Sequence, residues 1–170
     1  MNNVNKETLT RGALAGLGGG AVMAMWSMIA LWLTGIGFWS PLNLIAHTIW
    51  RGAPLGAAFS GGALVLGLVI HMMMSVVLGV VFAVGVRTAG RLAASTATLT
   101  ITGMMFGLAV WAVMQYGIWP ALDPAAAPKF TPWVFALGHL MFGAATALLL
   151  TLTSPARHRH PVPHPHGTPA

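Results

Sequence analysis

The chain has 170 residues, 56% hydrophobic and 6% charged, with a mean hydropathy of +0.78. A soluble domain carries about 25% charged residues, so this composition argues against an ordinary water-soluble fold and points to a membrane protein. The absence of cysteine excludes disulfides, thiolate metal sites and c-type haem attachment, and the net charge of +6 is spread over loops and ends rather than gathered into a nucleic-acid surface.

Residues 1–11 are polar and include Lys6, Glu7 and Arg11. An apolar run of bilayer-spanning length follows from Gly12 to Gly35. A signal peptide would have an apolar core of only about 7–15 residues before a small-residue cleavage site. This run is longer and is bordered by Trp32 and Trp39, which predicts a retained first span over about 12–35. Gly12, Gly16, Gly20 and Ala24 recur at four-residue spacing, a face suited to close helix packing in lipid.

Ser40-Pro41 then reads as a helix start and Gly52 as its stop, giving a short helix over about 41–51. Leu42, Ile45 and Ile49 fall on one face of it, and Asn43, His47 and Arg51 on another. At about three turns it is too short to cross a bilayer, so an interfacial or re-entrant helix is expected. Its polar face on the outer surface would meet lipid headgroups, a partner or simply water.

Further spans are predicted over about 59–86, 92–119 and 133–153. The second ends at Arg87 and Arg91. The third contains Gly103, Gly107 and Gln115, and a proline-rich loop holding Asp123 and Lys129 precedes the fourth. Residues 154–170 form a tail rich in proline and histidine, expected to be disordered and cytoplasmic, whose four histidines would bind divalent metal weakly at most.

Lysine and arginine set the orientation. Six lie at the two ends and in the middle loop, and two, Arg51 and Lys129, lie in the other loops. Both termini are therefore expected in the cytoplasm, with Trp32, Trp39, Trp50, Trp119 and Trp133 forming an aromatic belt at the opposite face. The halves also look related. Gly12 and Gly16 match Gly103 and Gly107 at an offset of 91, and His71 matches His139 at an offset of 68. Either chance similarity of glycine-rich helices or a parallel 2+2 repeat would produce this.

The two matched histidines carry what chemistry the spans offer. His71, Ser75, Gly79 and Ala83 share one helix face, as do His139, Gly143, Ala147 and Thr151. An ionisable side chain inside a span is a candidate functional site. His71 and His139 can serve as paired axial ligands of haem b, with Gln115 in support. They can also join Met72, Met73, Met74 and Met141 as soft ligands for copper, although consecutive methionines must point in different directions. The simpler alternative is that each imidazole donates to a neighbouring carbonyl and holds the bundle together without a cofactor. Glu7 and Asp123 both lie outside the predicted spans, which disfavours a proton-coupled transporter. No acid–base pair or zinc-helix motif suggests hydrolysis.

The segment SPLNLIAHTIW (Ser40–Trp50), followed by a span with a central His71, resembles a family of small, functionally uncharacterised bacterial inner-membrane proteins. The resemblance covers about residues 10–85 and implies a multi-pass inner-membrane location, with no activity attached.

The expectation is thus an all-α, integral membrane four-helix bundle, most simply a non-enzymatic structural or accessory protein in contact with lipid and with a membrane partner or its own copies. The alternatives are a haem- or copper-binding electron-transfer module and, more remotely, an oligomeric transporter or channel.

Overall fold

A computed structural model describes residues 5–90 and 95–153, all of the regular structure among them helical. The long helices are α1 (Lys6–Leu33), α3 (Gly61–Thr88), α4 (Thr96–Val113) and α6 (Pro132–Leu152). Two short ones, α2 (Ser40–His47) and α5 (Trp119–Leu122), lie in the connections. The expected tail, Arg91 and the start of the third span at residue 92 fall outside the described residues.

The helix starts follow from side-chain capping. Asn5, Ser60 and Ser95 each accept a hydrogen bond from a backbone N–H three residues on, satisfying a donor that the first turn leaves open. Asn5 and Glu7 carry α1 back to Lys6, well before the apolar run at Gly12. At the other end of α1, Gly35 N–H donates to Trp32 O and Ile36 N–H to Leu31 O, with Gly35 at φ +78°. This closing motif needs a left-handed residue, which glycine supplies without steric cost.

α1 and α6 run antiparallel side by side. The Arg11 guanidinium donates to Leu150 O at 2.9 Å near one end, and Trp26 Nε1 donates to Val134 O at 2.9 Å towards the other. α3 packs against α1 and α4 against α6, so two helix pairs stand next to each other. Where α3 and α4 meet, Phe82 and Phe106 bring their rings to 5.3 Å between centroids.

Glycines set the spacing within each pair. A Cβ at Gly16 would collide with Ser75 O of α3, and one at Gly103 with Gly143 O of α6. Gly20 lies against Ser75 and His71, and Gly107 against His139 and Gly143. Equivalent contacts therefore relate Gly16 to Gly103 and Gly20 to Gly107, while His71 still pairs with His139. The packing corresponds one helical turn away from the offset of 91 suggested by the residue matches.

Several local expectations change. α2 ends at His47, so Arg51 lies in the following turn rather than on the helix, and Asn43 and His47 are buried at 1% and 6% exposure. The polar face is not a wet one. It points into the protein, because Asn43 Nδ2 holds the next loop through Gly56 O and Ala58 O, both at 2.8 Å. Ser40 is the first helical residue rather than the cap. The third span is not regular throughout: Met114–Ile118 forms a π-helical turn just before Pro120. Proline has no N–H to donate and its ring crowds the preceding turn, so the wider turn absorbs it and the helix continues to Leu122.

Candidate functional site

His71 and His139 line one cavity of about 70 Å³ between the long helices, which also reaches Ile45 of α2, Trp119 of α5 and Phe130. α1 contributes Met23 to it, α3 contributes His71, Met74 and Ser75, and α6 contributes His139. Met114, at the start of the π-helical turn, completes the set of thioethers. Aliphatic and aromatic side chains make up nearly all of the remaining wall. Both histidines are 9% exposed.

Each imidazole is fixed by one of its nitrogens. His71 Nε2 lies 2.9 Å from Gly20 O on α1, and His139 Nδ1 lies 2.8 Å from Phe135 O one turn back on its own helix. A carbonyl oxygen only accepts, so both of these nitrogens carry the proton. In the neutral rings the other nitrogens, His71 Nδ1 and His139 Nε2, are bare lone pairs. Neither has a hydrogen-bond partner among the described residues. Ser75 does not reach them, since its hydroxyl donates to His71 O at 2.8 Å.

The other candidates are dispersed. Met73 is 64% exposed on the outside of α3, and neither it nor Met141 lines the cavity. Successive helical residues point about 100° apart, so Met74, 41% exposed, reaches the cavity wall where Met73 does not. Gln115 is buried within the π-helical turn but does not line the cavity either. Of the cavity's methionines, sequence offered Met74 as a candidate ligand but not Met23 or Met114, because methionine is an ordinary filler of apolar cores. Sites for organic ligands usually measure about 300–1,000 Å³, so this cavity suits an ion or a few waters rather than a porphyrin. Among the described residues no three of His, Asp or Glu gather in one place.

A second constellation joins the loops at the α1 C-terminal end. Asp123 is fully buried and accepts from His47 Nδ1 at 2.6 Å and from Ala126 N at 3.1 Å. Arg51 Nη1 lies 2.6 Å from its other side, and Arg51 Nη2 donates to Leu122 O at 2.6 Å. Burial pushes the Asp123 carboxyl up. Hydrogen bonds from His47 and Ala126 and the attraction of His47 and Arg51 outweigh it, leaving the group below its ordinary value near 3.8. His47 and Arg51 thus belong to an internal clamp. Asp123 completes it, and only folding could reveal that, since it lies 76 residues from His47.

Four helices are long and apolar enough to cross a membrane: Lys6–Leu33, Gly61–Thr88, Thr96–Leu122 and Pro132–Leu152. The fold is that of a multi-pass, all-α membrane protein. No family model, curated protein or solved structure matches the chain.

Proposed function

We propose that the chain is a non-catalytic, multi-pass protein of the bacterial inner membrane, with both termini cytoplasmic, that binds a small ligand in its core. One observation carries this: the bare nitrogens of His71 and His139 belong to rings that line the same small cavity. No side chain or backbone group among the described residues pairs with these nitrogens, and an ion, a polar ligand or water held in the cavity can supply the missing partner. The orientation rests on the distribution of lysine and arginine, and the inner-membrane location also on the SPLNLIAHTIW resemblance.

Solid-state NMR of ¹⁵N-histidine protein in bilayers tests the site. The expected spectrum has the rings in opposite tautomers, with Nδ1 unprotonated on His71, Nε2 unprotonated on His139, and both in contact with water. Bare nitrogens sealed from water, or the same tautomer on both rings, would reduce the histidines to packing groups.

A further inference from the structure

We infer that the ligand is a soft monovalent metal ion, Cu(I), held by the bare nitrogens of His71 and His139 with thioether sulfur from Met74, Met23 or Met114. This rests on the cavity proposed above to be a binding site and adds the chemical class of its occupant.

The donor set decides the class. The lining side chains offer two imidazoles, three thioethers and a single hydroxyl, that of Ser75, which is already bonded to His71 O. No carboxylate faces the cavity. Hard cations such as Na⁺, Mg²⁺ or Ca²⁺ require several oxygen ligands and find almost none here. Imidazole and thioether together match Cu(I), which accepts low coordination numbers and neutral soft donors.

Charge points the same way. The cost of desolvating an ion rises with the square of its charge, so a divalent ion among neutral ligands is penalised about four times as heavily as a monovalent one. Neither acid is free for the cavity: Asp123 is committed to His47 and Arg51, and Glu7 lies in the first turn of α1 beside Arg11. The volume agrees, since about 70 Å³ admits an ion with its ligand atoms closing round it. The rings are also pre-set, as the bonds to Gly20 O and Phe135 O fix which nitrogen each presents.

The test is anaerobic Cu(I) titration of the full-length protein in lipid nanodiscs against a Cu(I) chelator, with copper-edge X-ray absorption on the loaded sample. One Cu(I) per chain with mixed nitrogen and sulfur ligation is expected. The sulfur identifies the cavity, because the histidine-rich tail contains no methionine. Met74→Leu or Met114→Leu should weaken binding by at least about tenfold, the lower end of what even supporting residues cost a metal site. These changes conserve volume and so leave folding intact. Met73→Leu, on the outer surface, should change nothing. His71→Ala and His139→Ala should each abolish the sulfur-ligated ion. A shell without sulfur, or binding unaffected by the Met74 and His139 changes, overturns the assignment. Failure to bind Cu(I) in protein whose NMR shows bare, water-contacted nitrogens overturns the metal alone and leaves the cavity standing.

Discussion

At the scale of single residues, Asp123 should be the most consequential polar side chain outside the helical spans. Replacing it with Asn leaves His47 and Arg51 facing a neutral amide in a buried place. A loss of ~1–3 kcal/mol is expected, read as a lower midpoint in SDS or thermal unfolding. Arg51→Met should cost less, because that side chain is 53% exposed and water compensates for the lost partner. The pH dependence follows from the sign of the shift. The folded carboxyl titrates below its ordinary value near 3.8, so its contribution is complete above that value. It is lost only as the pH falls through the lowered folded value. Unfolding midpoints should therefore show an acid limb below about pH 4 in the parent protein, reduced in Asp123→Asn.

At the scale of elements, backbone contact within each helix pair sets the tolerance to substitution. Gly107→Ala would drive its new methyl into His139 O, and α4 and α6 must separate to admit it. Overpacking of this kind costs ~1–3 kcal/mol and would also displace the His139 ring from the cavity. Gly85→Ala is the matched control, since nothing lies within 4 Å of the added methyl. By helix propensity it should be neutral or stabilising by up to about 1 kcal/mol. Parallel unfolding curves for the two variants separate close packing from propensity. The π-helical turn belongs to the same scale. It accommodates Pro120 and sets the stretch that begins with Met114, whose side chain reaches the cavity.

At the scale of the whole molecule, the α1/α3 pair and the α4/α6 pair close on one another through α1 with α6 and through α3 with α4, with the histidine cavity between the pairs. Cysteines introduced at Phe82 and Phe106 should therefore be cross-linked by a short bifunctional reagent, given ring centroids 5.3 Å apart. No native cysteine interferes with such labelling. The same background tests the proposed orientation. Thr131→Cys should react with a membrane-impermeant maleimide in spheroplasts, whereas Ala89→Cys should react only after permeabilisation. The reverse pattern would invert the assignment of the termini.

Sequence by itself determined the class of fold: apolar runs of spanning length admit only helices when every backbone polar group must be paired within the segment. It also picked out His71, His139 and the glycine faces, because four-residue spacing is a local property of a helix. Tertiary structure decided what those residues do. Which methionine faces the histidines depends on how α1, α3 and α4 are rotated about their axes, and the composition of an almost uniformly apolar helix does not encode that. Likewise Asn43 and His47 looked like a wet face until the Asp123 loop was folded over them. A polar stripe is pointed inward by partners far along the chain, and here those partners are one carboxylate and two loop carbonyls.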